Sequence, residues 1–378
     1  MKGSIRRRGK NSWELNIDLG RDANGKRLRK FVSVQGKKAD ADRKLREILS
    51  QLDKGIPFDN DKITVAEFLD QWFLNYVVPN TRPRTAEGYE GITRNHLKPN
   101  LGHVQLAKLQ PADIQSMESS ILESGLSART VQHIHRVLHE ALKHAMKWGL
   151  IWRNPAEAVD VPKVRRTEIQ IPETATILRL LETAKSTPHY PAYNLMAFTG
   201  CRRGEILGLR WEDVDLDRSQ ISIVQTVQRV KGQGIIFEPP KSSKSRRLIV
   251  LDDATVEVLR AHRVQQLESR LQLGSLWTDY GLVFPGIRGL PLDPPAFSRS
   301  WKTLVAKAGF QNVRLHDLRH FHATLLLKEG THPKVVQERL GHANISVTLD
   351  TYSHVVPSMQ TEAASVFAEA MAKSAASE

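Results

Sequence analysis

The first part of the chain alternates apolar and polar positions with the period of a β-strand. Residues 13–19, WELNIDL, are typical of a half-buried strand, and 27–34, RLRKFVSV, of the strand that returns after a turn at Asn24-Gly25. Residues 37–55 change to a helical period and end at a glycine. The pattern therefore predicts a β-hairpin beside a helix in the N-terminal segment.

The next region has a helical period throughout. Residues 64–77 place Thr64 on one stripe with three aromatic side chains, and 127–149 form the clearest helix, with Ser127 as its N-cap. Residues 152–166 contain two prolines and several basic residues, which predicts an extended linker after the helices. The apolar stripe of the clearest helix consists of Val131, Ile134, Leu138, Leu142 and Ala145.

From about residue 172 the pattern mixes strand and helix periods, so we predict a multidomain, mainly α fold with small β elements. The predicted strands are 219–227, 235–240 and 246–251. The predicted helices are 173–186, 190–198, 253–272, 295–308, 316–329, 333–340, 347–353 and 358–372. The predicted domains are a basic N-terminal module over 1–56, a helical domain over 63–151 and a mixed α+β domain over 170–378 that ends in a tail helix.

The net charge of the chain indicates a polyanion as a binding partner. The 378 residues contain 55 Lys and Arg against 41 Asp and Glu, a net charge of +14, and residues 1–56 alone hold 16 against 7. A protein this basic often binds a polyanion, so we predict that the N-terminal hairpin contacts DNA. The alternative is a module that only solubilises the chain. The candidate DNA-binding residues are Arg6, Arg7, Arg8, Arg27, Arg29 and Lys30.

The number of cysteines and the hydropathy of the sequence indicate the cellular compartment of the protein. The single cysteine, Cys201, cannot form an internal disulfide or a cysteine-rich zinc site, and we interpret it as a small apolar filler in a reducing cytosol. No run of about 18 apolar residues predicts a membrane span. The basic N-terminal stretch has no apolar core of a secretory signal. We therefore expect a cytoplasmic protein.

One predicted helix carries three histidines and an arginine within seven positions. His316 and His320 lie four residues apart and can share one face, as in a metal site. However, Asp317 stands where the H-E-x-x-H pattern has Glu, and the cation of Arg319 opposes metal binding. Histidines satisfied in a packed interior are a second alternative, and we assign His322 to a plain surface or core position.

Residues elsewhere in the chain favour a third interpretation, a site for an anion. Arg202 follows a Thr-Gly turn and precedes a predicted helix, where a guanidinium and backbone N–H groups can bind a phosphate together. Glu205 comes three residues later. A Lys-rich turn at 239–251 lies between two predicted strands, His342 follows a glycine, and Tyr352 comes ten residues after it.

These segments together resemble the tyrosine recombinases, in particular the integrases of phages and integrative elements. The basic module and the helical region are also similar to the arm-site-binding and core-site-binding domains of that family. The resemblance therefore spans nearly the whole chain, and its five motifs follow one another over about 155 residues. They are T-G-x-R-x-G-E at Thr199–Glu205, a hairpin Lys near 241, H-x-x-R at His316–Arg319, L-G-H at Leu340–His342 and T-L-D-T-Y at Thr348–Tyr352.

The resemblance implies a role for each of these residues. It makes Arg202 and Arg319 the phosphate-binding arginines, His342 a further hydrogen-bond donor, Tyr352 the nucleophile, His316 the base and Lys241 the general acid, with Lys244 as the alternative and Glu205 and His320 as supporting residues. It implies a 3′-phosphotyrosine intermediate formed without metal, cofactor or ATP. It also implies four protomers on double-stranded DNA, joined through the tail at 358–378, although packing of the tail within its own chain stays open.

Three other functions remain as alternatives. A type IB topoisomerase shares the chemistry but rejoins the same strand, and a chromosome-dimer resolvase usually lacks an N-terminal DNA-binding module. A non-catalytic DNA-binding protein could keep the fold and the basic surface. The family resemblance also allows for a directionality factor or a host DNA-bending protein as a partner.

Overall fold

The structure is a computed structural model. The chain divides into two compact units, Met1–Thr167 and Glu168–Glu378. Helices outnumber strands and the sheets are small, so the predicted fold class is confirmed. Among the helices of the described residues, none has the length and hydropathy of a membrane-spanning segment. The structure describes residues 3–21, 27–53, 63–164, 170–240 and 246–352, together with the short pieces 364–365, 367–369 and 371–372.

The N-terminal sheet has three antiparallel strands where the sequence predicts two. Helix α1 packs on one face of the sheet, over the buried Leu15 and Ile17. The first strand is missed because Ile5 is its single partly buried residue, so its alternation is too weak to recognise. The predicted turn at Asn24-Gly25 lies outside the described residues. The elements are β1 (Gly3–Gly9), β2 (Ser12–Arg21), β3 (Arg27–Gln35) and α1 (Lys38–Asp53).

The following helices share an apolar core of their own. Ser127 caps α7 as predicted, since its hydroxyl accepts a hydrogen bond from the Thr130 N–H. Thr64 is the N-cap of α2 and does not lie on the apolar stripe: its side chain and that of Glu67 each accept the other's backbone N–H. The helices are α2 (Val65–Trp72), α3 (Val78–Asn80), α4 (Pro83–Ile92), α5 (Lys98–Leu101), α6 (Pro111–Glu123) and α7 (Ala128–Lys147).

Two wide helical turns accommodate prolines inside this region. A π turn at Phe73–Val77 joins α2 to α3, and another at Thr93–Leu97 joins α4 to α5. Pro79 and Pro99 each come two residues after such a turn. Proline has no N–H and its ring clashes with the preceding turn, so an α-helix normally stops there. The wider turn lets the chain stay helical past each proline.

The first half of the predicted linker belongs to the helical core. Pro155–Ala158 form a 3₁₀ turn, and Ala156 is buried in the same apolar cluster as α7. The Asn154 amide fixes this turn, because its Nδ2 donates to His139 O and its Oδ1 accepts from the Ala156 N–H. An extended linker over 152–166 is therefore wrong for residues up to Ala158.

The second unit has two small sheets, of order β4-β5-β8 and β6-β7. The prediction of one strand over 219–227 is wrong, because the strand ends at Ile223 and the chain continues into a second strand that belongs to a different sheet. β5 pairs antiparallel with β8, and the β6-β7 hairpin comes between these two strands in the chain. The strands are β4 (Val214–Asp215), β5 (Gln220–Ile223), β6 (Thr226–Val230), β7 (Gly234–Glu238) and β8 (Arg247–Val250).

The helices of the second unit follow the predicted periods closely. They pack around a core in which Tyr193, Phe297 and Trp301 are the largest buried aromatic side chains. The predicted tail helix over 358–372 lies largely outside the described residues. The helices are α8 (Thr174–Ala184), α9 (Tyr190–Thr199), α10 (Arg203–Leu207), α11 (Asp253–Leu273), α12 (Pro294–Lys307), α13 (Asp317–Lys328), α14 (Pro333–Leu340) and α15 (Ile345–Tyr352).

His322 lies in the core of this unit, which is one of the two positions expected for it. Its Nδ1 is 3.1 Å from Ala197 O, and Arg339 Nε donates to its Nε2 at 3.1 Å, so the proton is on Nδ1. Burial, and then the charge of Arg339, lower the pKa of His322 to about 4. The ring therefore ties α13 to α9 and α14 as a neutral group.

We predict that His322→Gln flattens the pH dependence of unfolding of the second unit. Glutamine can donate to one partner and accept from the other, but it does not titrate. In the wild type, protonation of a ring whose pKa drops from 6.5 to about 4 on folding removes stability as the pH falls through that window. The loss reaches about 3 kcal/mol at the acid end.

The protein is equilibrated in urea at several pH values and then given a hydrogen-exchange pulse at one fixed pH. The deuterium uptake of peptides from α9 and α13 reports how much of the second unit is unfolded. His103→Gln, which changes an exposed histidine of the first unit, is the control and should keep the wild-type slope. An equally steep loss of stability in His322→Gln would contradict the neutral assignment.

Candidate active site

One buried arginine brings three sequence motifs of the second unit together. Helices α9 and α14 end at Gly200 and Gly341, and both glycines have a left-handed φ of 66°. From α13, Arg319 Nη1 donates to Gly200 O at 2.7 Å and Nη2 donates to Leu340 O at 2.8 Å. The T-G-x-R, H-x-x-R and L-G-H motifs therefore meet at one guanidinium.

The Arg319 side chain is a fixed cation within the protein. It is 2% exposed, and its pKa is lowered to about 10, first by burial and then by the charge of Arg202. A pKa near 10 keeps the guanidinium protonated at neutral pH. Arg319 therefore supplies positive charge from beneath the surface of the site.

Arg202 lies in the same site but reaches solvent. Its backbone N donates to Glu205 Oε2 and its Nη1 to Glu205 Oε1, both at 2.8 Å, and its side chain is 41% exposed. The outer part of the guanidinium is therefore open to a ligand. Gly204 brings this segment against β6, because a Cβ at that position would lie 2.6 Å from Val227 O.

Arg247 is not among the residues that the sequence motifs predict for the site, yet it completes the base of the site. Its Nη2 donates to Glu205 Oε2 at 2.9 Å and its Nε to Arg339 O at 2.7 Å. Burial raises the pKa of Glu205, but Arg247 and then Arg202 outweigh it and bring the pKa to about 2. The only signal in the sequence is an arginine at the start of a predicted strand, a position that is usually exposed.

Cys201 is buried beside this carboxylate, as expected of a core filler. Arg247 Nη2 lies 3.5 Å from its Sγ. Burial raises the pKa of the thiol, so Cys201 stays protonated and unreactive at neutral pH.

His316 and His320 form an edge-to-face pair, with ring centroids 4.9 Å apart. Burial, then His320 and Arg319, lower the pKa of His316 to about 4, and burial also lowers that of His320. Both rings are neutral at pH 7, so His316 can accept a proton. His316 lies one helical turn before Arg319, whose charge contributes to the lowering of its pKa.

Asp317, the acidic residue next to these histidines, is bonded to Arg314. It is buried and its carboxylate accepts the backbone N–H of Arg314 at 2.7 Å and the Nη2 of the same residue at 2.8 Å. In the described ranges, no group of three or more His, Cys, Asp or Glu side chains could hold a metal ion.

His342 follows the Gly341 turn, and α15 anchors its ring. Its Nδ1 lies 2.8 Å from the hydroxyl of the buried Thr348. Burial, then the charges of Arg319, Arg202 and Arg247, lower the pKa of His342 to about 3, so the ring is neutral. Thr348 precedes Tyr352 by one helical turn. The backbone of Tyr352 ends α15, while its side chain and both candidate lysines, Lys241 and Lys244, lie outside the described part of the chain.

The N-terminal arginines divide between the two faces of the first sheet. The register pairs Arg6 with Glu14 and Arg29 with Asp18, on the face opposite α1. Arg8 shares that face, because it bonds Glu14 at 2.8 Å. We call Arg6, Arg8 and Arg29 the open-face arginines. Arg7 lies on the other face, 5.9 Å over the ring of Trp13, and the side chains of Arg27 and Lys30 lie outside the described part.

Two protein-family models match the chain. The model of the phage integrase family matches residues 170–359, and the model of the phage integrase N-terminal SAM-like domain matches residues 64–121. The first match alone spans half of the chain.

Similar proteins match over most of their own length. The tyrosine recombinase XerC-like protein of Caldanaerobacter subterraneus is 29% identical over 374 residues, 94% of this chain and 95% of that protein. An integrase of Streptomyces ambofaciens is 29% identical over 362 residues, 93% and 92% of the two chains. The ICEBs1 integrase of Bacillus subtilis is 25% identical over 287 residues, 75% and 77%.

Solved structures share the fold. The Tn1549 transposon integrase in complex with a circular intermediate DNA has a TM-score of 0.67 at 21% identity, over 77% of this chain and 95% of that one. A lambda integrase dimer bound to a core site has a TM-score of 0.58 at 17% identity, over 92% and 94%. The family matches confirm the resemblance in the five motifs, and the chain belongs to the phage integrase family of tyrosine recombinases, enzymes that cut and rejoin DNA strands.

Proposed function

We propose that this chain is a site-specific integrase that cuts and rejoins double-stranded DNA through a 3′-phosphotyrosine intermediate, and so integrates and excises a mobile genetic element. The observation that carries the proposal is the Arg319 guanidinium, which joins the turns before Arg202 and His342. This arrangement concentrates positive charge and neutral imidazoles in one place. The similar integrases of Streptomyces ambofaciens and Bacillus subtilis support the same role.

The two arginines stabilise the charge that develops on the phosphate. A phosphodiester is already anionic, and attack on phosphorus adds further charge to its oxygens. The exposed guanidinium of Arg202 binds a non-bridging oxygen directly, while Arg319 supplies fixed positive charge from below. Both groups act without reorganisation, because the protein already holds them in place.

The two neutral histidines take different roles at the same phosphate. In the proposed tautomer, His342 Nδ1 accepts a hydrogen bond from the Thr348 hydroxyl. The Nε2–H is then free to donate a hydrogen bond to a phosphate oxygen. His316 accepts the proton of the Tyr352 phenol, whose ordinary pKa is about 10. His320 packs against the His316 ring and orients it.

In the proposed step, the phosphoryl group passes from the 5′ oxygen to Tyr352. Tyr352 Oη forms a bond to phosphorus while the bond from phosphorus to the 5′ oxygen breaks. The phenolic proton goes to His316, and the leaving 5′ oxygen takes a proton from Lys241. The phosphotyrosine keeps the energy of the phosphodiester, so a 5′-hydroxyl of a second strand can reverse the step without ATP.

We also propose DNA sites, partners and a compartment for this chain. The N-terminal module binds arm sites and the domain over 63–151 binds core sites. Four protomers act on two duplexes and associate through the tail at 358–378. A directionality factor or host DNA-bending protein sets which reaction prevails, and the reaction takes place in the cytoplasm of a bacterial host.

Tyr352→Phe should abolish the covalent adduct and leave DNA binding intact, because the ring remains but the nucleophile is gone. Wild type and variant are incubated in EDTA with a plasmid carrying the DNA that flanks this gene, and SDS then reveals protein-linked DNA. We expect an adduct with the wild type alone. Tyr280→Phe, which changes an exposed tyrosine of the same unit, is the matched control and should form the adduct.

Other outcomes select the alternatives. Cleavage by Tyr352→Phe would show that the nucleophile is another residue, and an adduct that EDTA removes would point to metal chemistry. Binding by the wild type without any adduct would favour the non-catalytic DNA-binding protein. Relaxed plasmid without recombinants would indicate a type IB topoisomerase.

Lys241→Ala should slow cleavage of ordinary DNA by about 100-fold or more, the usual contribution of a general acid. A duplex with sulfur in place of the bridging 5′ oxygen has a leaving group that needs no proton. On that duplex Lys241→Ala should cleave at the wild-type rate. Lys244→Ala is the matched control. If the sulfur-substituted duplex restores the rate of Lys244→Ala and not that of Lys241→Ala, then Lys244 is the general acid.

Replacing the open-face arginines Arg6 and Arg29 by Ala should weaken binding to arm-site DNA and lower its salt dependence, by about one unit of log–log slope for each phosphate that is no longer bound. Fluorescence anisotropy of labelled duplexes over a range of salt concentrations measures both. Arg7→Ala, on the face that carries α1, is the control and should bind nearly as the wild type does. An equal weakening in Arg7→Ala would refute the open face as the DNA-binding surface.

A further inference from the structure

We infer that Arg247 is a positioning residue for strand cleavage, which sets Arg202 through Glu205 and the turn before His342 through Arg339 O. The inference rests on the proposed roles of Arg202 and His342. Arg247 acts on the phosphate through these neighbours and does not touch DNA itself.

The contacts of the Arg247 guanidinium are directed at the protein. Nη1 and Nη2 donate to the two carboxylate oxygens of Glu205 at 3.3 and 2.9 Å, and Nε donates to Arg339 O at 2.7 Å. The Cys201 Sγ lies 3.5 Å from Nη2. The side chain is 6% exposed, against 41% for Arg202. A phosphate at the surface therefore meets Arg202 and not Arg247.

Glu205 is shared between a buried and an exposed guanidinium. Its carboxylate is 6% exposed and bonds Arg247 on the inner side and Arg202 on the outer side. A buried carboxylate that loses one of two cations holds the remaining one more strongly, because its charge is then less compensated. Without Arg247, Glu205 would therefore draw Arg202 inward and away from the phosphate.

Arg247 also fixes the second half of the site. It binds the carbonyl of Arg339, and Arg319 binds the next carbonyl, that of Leu340. The guanidinium lies against the following glycine, since a Cβ on Gly341 would come 2.8 Å from its Nη1. His342 is the next residue along the chain. One side chain thus connects the segment of Arg202 with the segment of His342.

The first test is a charge-rescue cycle. Arg247→Met should slow single-turnover cleavage by about 100-fold, as expected of a small displacement of reacting groups, with DNA affinity within about threefold of wild type. Adding Glu205→Gln removes the uncompensated carboxylate, so the double variant should regain about tenfold or more of that rate. Arg246→Met, which removes the same charge from the exposed neighbour, is the matched control and should cleave normally.

The second test separates positioning from a loss of folding. A duplex in which a methyl group replaces one charged oxygen of the scissile phosphate needs one guanidinium less. If Arg247 acts through Arg202, then Arg247→Met and Arg202→Ala should both approach the wild-type rate on this duplex. A variant that is merely destabilised stays slow on both duplexes and shows a lowered Tm.

The outcomes distinguish this inference from the proposed function. Wild-type cleavage of ordinary DNA by Arg202→Ala would overturn the proposed site itself. A slow Arg202→Ala with a fast Arg247→Met would overturn the role of Arg247 alone. So would an Arg247→Met that neither Glu205→Gln nor the methyl-substituted duplex rescues.

Discussion

The burial of one positive charge is the constraint on which the catalytic unit depends. The Arg319 guanidinium is almost fully shielded from water, and a buried cation is costly unless fixed acceptors replace the water. The carbonyls of Gly200 and Leu340 at the ends of α9 and α14 provide them, and the carboxyl end of a helix also carries partial negative charge. Gly200 packs closely against the other helix end, since a Cβ there would lie 2.7 Å from Leu340 Cδ2, and its left-handed φ of 66° also favours glycine.

The charge of Arg319 also contributes to the pKa values of the neighbouring histidines. Burial and the arginines together keep His316 and His342 neutral, while Arg247 and Arg202 keep Glu205 ionised against its own burial. An acceptor, a donor and an anionic anchor thus coexist within one small site at neutral pH. Burial and the neighbouring cations together set the protonation state of all three side chains.

Sequence periodicity predicts the helices of the second unit well, because each must bury one stripe against a shared core. The motifs likewise predict that Arg202, His316, Arg319 and His342 meet, since few other reasons place such residues in that order. Features that depend on contacts between distant segments are missed. Arg247 looks like an ordinary charged residue at a strand end until Glu205, 42 residues away, is seen beside it.

The predictions from periodicity that are wrong also have physical explanations. The polar strand β1 has too few buried positions to show alternation, and the strand predicted at 219–227 is continuous in sequence but divided between two sheets. Thr64 lies in register with an apolar stripe, yet its hydroxyl caps the helix end. For β1 and for residues 219–227, pairing with other strands decides the structure, and a periodicity within the segment carries no record of it. At Thr64, a local capping bond to Glu67 outweighs the apolar period.

The cluster of Arg202, Arg247 and Arg319 around Glu205 has a consequence for the life of the free protein. These three cations repel one another, and the pKa of Arg319 is lowered in part by the other two. A DNA phosphate entering the site relieves that repulsion, so the nucleic acid acts as a stabilising ligand of the folded state as well as a substrate. The integrase without its DNA is therefore expected to unfold more readily than the DNA-bound form.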